Sequence, residues 1–454
     1  MKVAVITSTQ DKITNAAVKN SAVKLIPASS VLFVTRSGIL AHSFPVATTR
    51  DAVTVNQDLK AIVPVPVIDF EYLAWTLRYL EREVLRSCSK HGTTVHSIEI
   101  PALKSLNVPI PPPKEQRRIV AKIEELFSEL DKGTEALTTA REHLKAYRQS
   151  VLKHAFEGRL TEEWRKENPQ IPENLLANVQ AERKTRNPKK ASRLQPEQHD
   201  ASLNPLVSDG WSIEFLGNLD VEIFDGPFGS HLKTSDYVES GVRVIRLENI
   251  GHGDFIDEKR SFVPKKKYKD IQKHTVVPGD IVFSSFVTEA IRSALVPGHI
   301  PFAVNKADCF AIRFFGKTVN SKFVQLFLRS RNPFKQVEGM IHGVGRPRIN
   351  TSQLKEVVIP ICTPAEQVLI IEKLESIFTE TDSLESSIET GLAQLAALRQ
   401  SILKRAFSGQ LVAQDPKDEP DAVLLERIRA EREGTSTNKS RNSKNGKSRK
   451  KNAA

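Results

Sequence analysis

Two stretches of the chain, residues 114–160 and 365–411, place apolar side chains at alternating steps of four and three residues. This spacing keeps the apolar positions on one narrow stripe of a helix, which is typical of a coiled-coil seam. The seam positions are Ile123, Leu130, Leu137, Leu144 and Val151 in the first stretch and Leu374, Thr381, Ile388, Leu395 and Ile402 in the second. We therefore predict two long helices that pack on each other. Two independent amphipathic helices on separate cores are the alternative.

The two stretches are copies of one sequence at a constant offset of 251 residues. The matched pairs include Glu115 and Glu366, Phe127 and Phe378, Arg148 and Arg399, and Phe156 and Phe407. An ungapped duplication of this length indicates a repeated architecture. Gly133 and Gly391 interrupt the apolar stripe, and we interpret them as sites where the helices approach closely.

Each helical stretch has a start signal and a stop signal. Pro113 and Pro364 stand at the two beginnings, where the missing N–H of proline is tolerated. Gly158 and Gly409 follow the last apolar positions and suit helix ends. We therefore predict that the helices cover nearly the whole of both stretches.

A globular unit precedes each predicted helix, and the repeat continues weakly into it. Apolar and β-branched runs at 242–247, 280–287 and 309–315 predict strands, and residues 321–330 have helical periodicity. Related runs at 22–35 and 58–68, followed by a helical pattern at 70–85, occupy the first unit. The fold class expected is α+β, with mixed α/β domains built on a mostly antiparallel sheet.

The chain divides into six predicted segments. They are a first domain (1–112), a first long helix (113–160), a connector and linker with a short helix (161–204), a second domain (205–363), a second long helix (364–411), and a C-terminal helix with a disordered basic tail (412–454).

The net charge of +12 suggests a nucleic-acid partner, but most of it lies in two polar segments. Residues 439–451 hold seven Lys or Arg and residues 183–193 hold six, with no acidic residue in either. The folded body is therefore close to neutral, and contact with DNA would depend on local patches. No apolar run is long enough to cross a bilayer, so no membrane is expected. The three cysteines are widely spaced, as in a reduced cytoplasmic protein.

No motif for catalysis is recognisable in the sequence. A phosphate-binding loop, a complete dinucleotide fingerprint and zinc-ligand spacing are all missing, which argues against a single-chain methyltransferase or nuclease. The acidic run at Asp257 and Glu258 is weak evidence for a nuclease, because such runs are usually solvated surface. A purely structural coiled-coil scaffold is a further alternative, but it would not need two diverged β-rich domains.

Candidate nucleic-acid contacts cluster in predicted loops of the second domain. They are Lys233, Arg246, Asn249, Lys265, Lys266, Lys267, Arg292, Arg346 and Arg348. Arg346 and Arg348 lie in a glycine-containing loop that would let the backbone approach a partner closely. Arginine can then bind guanine edges or phosphates, whereas the lysine run is suited to phosphates alone. Ordinary surface charge is the alternative for each of these residues.

The whole pattern resembles the specificity subunit of type I restriction–modification enzymes, of the enteric type. The resemblance is carried by residues 109–127 and 357–378 at the helix starts and by residues 148–165 and 399–411 at their ends. Residues 210–219, 224–233, 244–250 and 276–284 are similar to the opening and middle of a target-recognition domain.

The resemblance implies an architecture and a set of partners. Two target-recognition domains would be separated by the two helices, packed as an antiparallel coiled coil, and would recognise the halves of a bipartite DNA target. The chain would not itself be an enzyme. It would bind two modification subunits, which use S-adenosylmethionine, and restriction subunits, which use ATP and magnesium.

The first domain departs from the family pattern. At the repeat offset Met1 corresponds to His252, so counterparts of residues 211–251 are missing from the first domain. We therefore expect an N-terminally truncated recognition domain, through a misplaced start or a real truncation, and recognition of the first half-target is in doubt.

Overall fold

The computed structural model describes residues 3–90, 92, 95–169, 175–188, 200–341, 347–420 and 422–431. It contains two compact units, one of residues 1–138 with 388–454 and the other of residues 139–387. Each unit holds a mixed α/β domain and one end of each long helix. The predicted disordered tail falls outside the described residues.

The first unit contains two small sheets and four helices before the first long helix. Its strands are β1 (Val5–Ile6), β2 (Val31–Val34), β3 (Arg36–Ser37), β4 (Val46–Thr49), β5 (Leu59–Ile62), β6 (Ser89–Lys90) and β7 (His96–Ile98). Its helices are α1 (Asn15–Lys19), α2 (Phe70–Tyr79), α3 (Glu81–Ser87), α4 (Ile100–Lys104) and the start of α5 (Pro113–Phe156).

The main sheet of the first unit has the order β1-β4-β2-β5, and β3, β7 and β6 form the smaller sheet. β1 pairs with β4 in parallel, whereas β4, β2 and β5 pair antiparallel. All four residues of β2 are buried, and three of them belong to the same apolar cluster as α2, whose first turn is capped by the Asp69 carboxylate. The strands and helices predicted from the runs at 22–35, 58–68 and 70–85 are confirmed.

The second unit is larger and follows the same plan. Its strands are β8 (Ser212–Phe215), β9 (Val221–Phe224), β10 (Val242–Ile245), β11 (Ser261–Val263), β12 (Thr275–Val276), β13 (Ile281–Ser284), β14 (Ser293–Leu295), β15 (Ala303–Asn305), β16 (Cys309–Phe314) and β17 (Val358–Ile361). Its helices are the end of α5, then α6 (Glu162–Glu167), α7 (Leu175–Arg186), α8 (Lys265–Ile271), α9 (Ser321–Leu328), α10 (Arg331–Glu338), α11 (Thr351–Lys355) and the start of α12 (Pro364–Phe407).

The strands of the second unit form three sheets rather than one. Their orders are β11-β10-β15-β12, β14-β13-β16-β9 and β17-β8. All pairings are antiparallel except that of β10 with β15. The predicted strands at 242–247, 280–287 and 309–315 and the helix at 321–330 are confirmed.

The two long helices begin and end where the sequence predicts. Pro113 and Pro364 are the first residues of α5 and α12, and each helix continues for 44 residues. Gly158 and Gly409 adopt left-handed backbone angles, with φ of 77° and 72°, just beyond the two ends. A side chain is strained in that conformation, so glycine terminates both helices.

Within each unit the two long helices pack antiparallel. In the first unit a Cβ atom on Gly133 would lie 3.4 Å from Leu395, and one on Gly391 would lie 2.9 Å from Leu137. The two glycines are therefore sites of close helix approach, as the sequence suggested. The antiparallel coiled coil expected from the family resemblance is confirmed.

Two equivalent arginines join the helices in the two units. In the first unit Arg399 of α12 pairs with Asp131 of α5. In the second unit Arg148 of α5 pairs with Asp382 (2.6 Å) and Glu385 (2.7 Å) of α12. Arg399 and Arg148 are matched by the repeat offset, as are Asp131 and Asp382, so the same ion pair occurs once in each unit with the helix roles exchanged.

Burial along the seam is uneven. Ile123 and Leu374 are fully buried and Val151 nearly so, while Leu130, Leu137, Leu144, Ile388, Leu395 and Ile402 are half-buried. The alternate apolar positions Tyr147, Leu384 and Leu398 are about half exposed. The apolar stripe of each helix consists of two parallel rows of side chains. A single partner helix covers only the row nearest to it, so the other row stays partly exposed.

A buried glutamine fixes the start of α12 to the second domain. The Nε2 of Gln367 donates to the carbonyl oxygens of Thr318 (2.8 Å) and Cys362 (2.8 Å), and its Oε1 accepts from the N–H of Asn320 (2.8 Å). All three partners belong to the backbone of residues that lead into α9 or α12. A single side chain therefore satisfies three buried backbone groups at the domain–helix junction.

Gln116 makes the same three bonds at the start of α5. Its amide donates to the carbonyl oxygens of Val67 (3.2 Å) and Pro111 (2.8 Å) and accepts from the N–H of Asp69 (2.8 Å). These partners are the repeat counterparts of those of Gln367. The junction is thus the most closely duplicated part of the molecule.

The helix packing predicts the effect of a charge at the seam. Leu137→Asp would place a carboxylate against Gly391, where the neighbouring helix limits hydration, and should destabilise the first unit by about 2–3 kcal/mol. Urea unfolding followed by circular dichroism measures this change. Ala136→Asp, on the exposed side of the same turn, is the matched control. Equal stability of the two variants would contradict packing at Leu137.

The glutamine junction predicts a second stability effect. Gln367→Leu would leave three buried backbone groups without a partner and should destabilise the second unit by about 3 kcal/mol. Hydrogen–deuterium exchange should show faster exchange at Thr318–Lys322. Gln394→Leu changes an exposed glutamine of the same helix and should have almost no effect. Unchanged exchange in Gln367→Leu would refute the proposed role of the junction.

Candidate nucleic-acid interface in the second domain

The candidate interface lies where the parallel strands β10 and β15 end together. Ile245 pairs with Asn305 at the last position of both strands, and the N–H of Lys306 donates to the Ile245 carbonyl oxygen (2.9 Å). The next residues along the chain are Arg246 and Lys306. Parallel strands have their carboxyl ends at the same edge of a sheet, so the two cations stand side by side.

An aromatic ring lies near both of these cations. The ring centroid of Tyr237 is 5.7 Å from the Arg246 guanidinium carbon and 5.7 Å from the Lys306 Nζ. Burial raises the pKa of the Tyr237 hydroxyl, so the ring is neutral at physiological pH. Arg246 also lies 3.5 Å from Glu248, which orients its guanidinium. Cations next to an aromatic face are a common arrangement for binding bases and phosphates.

An acidic residue beneath these loops fixes their positions. The Oδ1 of Asp225 accepts from the N–H of Gly226 (2.6 Å) and from the N–H of Asp308 (3.0 Å). Burial, assisted by the charge of Asp308, raises the pKa of Asp225 to about 6, although the bond from Gly226 opposes the shift. The Nδ1–H of His274 donates to the Asp225 carbonyl oxygen (2.6 Å). The turn after β9 is therefore tied to the turn before β16.

Gly226 allows this close contact between the two turns. A Cβ atom at that position would lie 2.1 Å from the Lys306 carbonyl carbon and 2.4 Å from the Asn305 carbonyl oxygen. Any side chain would push the turns apart. Two residues further along, Phe228 is 62% exposed, so a large aromatic ring projects into solvent from a fixed turn.

Two predicted arginines border the same region. Arg292 donates to the Oγ of Ser284 (2.9 Å) and to the Leu247 carbonyl oxygen (3.3 Å), which connects β13 to the turn after β10. Arg348 is aligned with Phe286 in an antiparallel bridge. Its side chain is 61% exposed and lies 3.7 Å from Asp308, so most of its donors face solvent.

The predicted lysines occupy a neighbouring element. Lys265 and Lys266 are exposed on α8, and Lys233 is exposed on the preceding loop. Lys267 is instead paired with Asp236 (3.1 Å), whose carboxylate also accepts from the N–H of Lys233 (2.7 Å). Lys267 therefore holds α8 against the loop, while the other three present free ammonium groups at the surface.

Two other predicted residues are placed differently. Asn249 is fully buried, and its amide donates to the carbonyl oxygens of Ile256 (2.8 Å) and Lys259 (2.8 Å) while accepting from the N–H of Arg246 (2.9 Å). The Asn249 side chain therefore stabilises the turn that carries Arg246, and it is not accessible to solvent in this structure. Arg346 lies outside the described residues.

The sequence reasoning did not select Tyr237, Lys306, Asp225 or Phe228. A single aromatic residue, lysine or aspartate cannot be recognised as a binding residue from the sequence alone. It becomes a candidate only when the fold places it beside other candidates. Residues 224–233 resemble the family pattern, and this similarity is the sequence signal that points to Asp225 and Phe228.

The described part of the chain contains no group of three or more His, Cys, Asp or Glu residues arranged to hold a metal ion. Asp257, in the acidic run that suggested a nuclease, pairs with Arg243 (3.0 Å) and Arg260 (2.7 Å) and is thus part of an ion-pair network. Among the described helices, none combines the length and apolar character needed to cross a membrane.

The chain matches the family model described as the type I restriction modification DNA specificity domain, over residues 2–139 and 229–394. Curated relatives include the type I restriction enzyme EcoDI specificity subunit of Escherichia coli, which is 26% identical over 86% of this chain and 82% of the relative. The MjaVIII specificity subunit of Methanocaldococcus jannaschii is 23% identical over 76% of this chain and 71% of the relative.

The fold also has a solved counterpart. A chain from a structure described as the basis of complex assembly and conformational transition of the type I restriction–modification system superposes with a TM-score of 0.63. The two chains are 18% identical, and the match covers 86% of this chain and 84% of that one. The likeness supports the arrangement of mixed domains and long helices.

The environment of Asp225 predicts a pH-dependent stability. The pKa of Asp225 is raised in the folded state. Between about pH 6 and pH 4 the folded protein therefore binds a proton at Asp225 that the unfolded chain does not bind. The free energy of unfolding should increase as the pH falls through this range. Asp225→Asn should stabilise the second unit at pH 7–8, and this advantage should shrink as pH falls towards 4. Thermal unfolding of both proteins across this range measures it.

The control is Asp270→Asn, at an exposed position of the same unit, for which the difference from the unaltered protein should vary little with pH. A constant difference for Asp225→Asn as well would mean that the Asp225 carboxyl does not titrate near pH 6.

Proposed function

Because the chain belongs to the type I restriction modification DNA specificity family, we propose that its second domain reads one half of a bipartite DNA target. The curated relatives are specificity subunits, so this chain is the recognition component of such a system and not its catalytic component. The observation that carries the proposal is the pair of partly exposed cations, Arg246 and Lys306, beside the Tyr237 ring at the ends of β10 and β15. The side chains of this region differ in how exposed they are and in how many of their hydrogen-bond donors are already used within the protein.

Arg348, Lys306 and Arg246 are the candidates for base contacts. They project from turns whose backbones are fixed by Asp225 and by strand pairing, so their reach is limited to one area. Arginine and lysine donate to the O6 and N7 of guanine in the major groove. Arg292 is partly engaged with Ser284 and is assigned to positioning as well as contact.

The exposed lysines Lys233, Lys265 and Lys266 are assigned to the phosphate backbone. They lie on a loop and a short helix beside the interface, and their flexible side chains carry no fixed donor geometry. Contacts of this kind add affinity without sequence preference and weaken as salt rises.

The duplicated junctions support a two-part target. Gln116 and Gln367 hold a mixed domain to a long helix in the same way in both units. We therefore assign the first domain to the other half of the target.

The proposal extends to partner subunits. The solved chain with the similar fold comes from a structure described as the complex assembly of a type I restriction–modification system. This similarity supports modification and restriction subunits as the partners of this chain. The repeated helix ends would offer two equivalent places, one for each of two modification subunits. S-adenosylmethionine, ATP and magnesium would be used by those partners, in the cytoplasm where the DNA lies.

A single-chain methyltransferase or nuclease and a purely structural scaffold predict different activities. The purified chain, incubated with DNA and labelled S-adenosylmethionine, should transfer no methyl group. The same chain with the modification subunits of its own system should methylate DNA, and mapping those sites would give the target sequence. Methyl transfer by the chain alone would contradict the proposal.

Arg348→Ala and Lys306→Ala should each weaken binding to the mapped target by about 1–3 kcal/mol, roughly 5- to 150-fold, and relax specificity at one position. Lys266→Ala should weaken binding equally on all sequences and reduce the salt dependence. Fluorescence anisotropy of the complex with modification subunits, on target and mutated duplexes at several salt concentrations, measures both effects.

Lys317→Ala is the matched control. Lys317 is an exposed lysine of the same domain that follows the other end of β16, roughly 20 Å along the strand direction from Asp308. Its replacement should leave affinity unchanged. If Arg348→Ala and Lys306→Ala bind both target and mutated duplexes like Lys317→Ala, DNA is not contacted at this surface.

A further inference from the structure

A carboxylate lies among the cations of the surface assigned to DNA. Asp308 follows Lys306 by two residues, and its side chain is 32% exposed. Its Oδ1 atom lies 3.7 Å from the Nη1 atom of Arg348. A negative charge at this position repels DNA phosphates and lowers the affinity for the DNA backbone. A favourable DNA contact of the carboxylate must therefore be with a group other than phosphate.

The backbone at Asp308 is strained. Its φ of 70° lies in the left-handed region, which only two non-glycine residues of the described chain occupy. The N–H of Asp308 donates to the Oδ1 of Asp225 (3.0 Å), its carbonyl oxygen accepts from the N–H of Ser285 (2.9 Å), and its Oδ1 accepts from the Ser285 hydroxyl (3.3 Å). Strain of this kind persists only where the surrounding structure enforces it, and it is concentrated at functional sites.

The short segment after β13 also fixes the loop of Arg348. The carbonyl oxygen of Ser285 accepts from the N–H of Ile349 (3.0 Å), and Phe286 forms an antiparallel bridge with Arg348. Asp308 and Arg348 are therefore both attached to this one segment. Their side chains are held next to each other by backbone hydrogen bonds, although 40 residues separate them along the chain.

Both side chains keep hydrogen-bonding capacity. At 3.7 Å the contact between them is too long for a hydrogen bond. Within the described part of the chain, the Arg348 guanidinium donates no hydrogen bond and no donor reaches the Oδ2 of Asp308. The pair therefore presents the parallel N–H donors of an arginine next to the acceptor of a carboxylate.

This order of groups matches one base pair. The major-groove edge of a G·C pair shows two acceptors, the N7 and O6 of guanine, followed by one donor, the N4 amine of cytosine. O6 and N4 are hydrogen-bonded to each other and lie about 2.9 Å apart, which is close to the separation of the two side chains. In A·T, T·A and C·G pairs read in the same direction, the group that faces the carboxylate is an acceptor, which leaves both groups unpaired.

We propose that Asp308 is a specificity-determining residue, which accepts from the N4 amine of a cytosine while Arg348 donates to the N7 and O6 of the paired guanine. The proposal rests on the assignment of this surface to DNA, and it names the base pair that the surface reads. The repulsion between Asp308 and phosphates is then offset only when the correct base pair is bound.

Asp308→Gly tests the proposal in the complex with modification subunits, on the target mapped by methylation. Glycine adopts a φ of 70° without strain, so the turn should be kept. The preference for a G·C pair at one position should fall about 5- to 150-fold, and binding to unrelated DNA should not weaken. Fluorescence anisotropy on duplexes in which each base pair is replaced in turn measures both quantities.

Glu222→Gln is the matched control for the loss of a negative charge. Glu222 is an exposed carboxylate of the same domain, and it is aligned with Arg313 near the other end of β16. Its replacement should leave the preference for the G·C pair unchanged.

A base analogue identifies the contact. A duplex with 2-pyrimidinone in place of that cytosine lacks the N4 amine and should bind the unaltered complex about fivefold or more weakly. The same replacement should have no effect on binding by Asp308→Gly. Asp308→Asn keeps an acceptor oxygen and tolerates the left-handed backbone, so it should retain the preference for cytosine.

Two results would overturn the proposal and leave the assignment of the surface to DNA intact. Asp308→Gly could remain as sensitive to 2-pyrimidinone as the unaltered complex, which would mean that Asp308 only positions Arg348. It could also weaken binding to all duplexes equally, which would mean that Asp308 only supports the fold. If Arg348→Ala and Lys306→Ala bind like Lys317→Ala, the assignment of the surface to DNA fails as well.

Discussion

One buried amide at the base of each long helix fixes the start of that helix to the mixed domain that precedes it. Gln116 and Gln367 are fully buried, and each satisfies three backbone groups that are buried or partly buried. Breaking one of these bonds leaves an unpaired buried group, so the helix can begin in only one orientation relative to its domain. The capping residues Asp69 and Asn320 lie in the same networks, which joins the first turn of α2 or α9 to the long helix. Each mixed domain is therefore held firmly to the start of its long helix.

The helices use duplicated positions with exchanged roles. Arg399 reaches across to Asp131 in the first unit, and Arg148 reaches across to Asp382 in the second. Two antiparallel helices of the same sequence are related by an approximate two-fold axis. If an arginine on the first helix contacts an aspartate on the second, the equivalent arginine on the second helix therefore contacts the equivalent aspartate on the first. The same short sequence, present once in each helix, therefore forms both of these ion pairs. The loops of the domains are not part of these contacts and are free to differ.

Sequence periodicity predicted the elements well and the roles of single side chains less well. The long helices, their proline starts and their glycine ends follow from local chemistry, which needs no knowledge of distant neighbours. Tyr147 and Asn249 show the limit. Tyr147 occupies a seam position yet is half exposed, since two helices leave part of the stripe uncovered. Asn249 was selected for DNA contact yet is buried, because its amide can satisfy the turn that holds Arg246. Both outcomes depend on tertiary neighbours that lie far away in sequence.

The segment Trp211–Gly226 connects the rigid base of the second unit to its reading loops. At one end the Trp211 Nε1 donates to Glu366 (3.0 Å) in the first turn of α12. In the middle β8 and β9 extend two sheets. At the other end the Asp225 carboxylate fixes the backbone of Asp308, whose side chain lies beside Arg348. The start of α12 and the turns that carry the cations are therefore joined by one continuous stretch of hydrogen-bonded chain. The position of the reading loops is set by the same chain segment that closes the domain onto its helix.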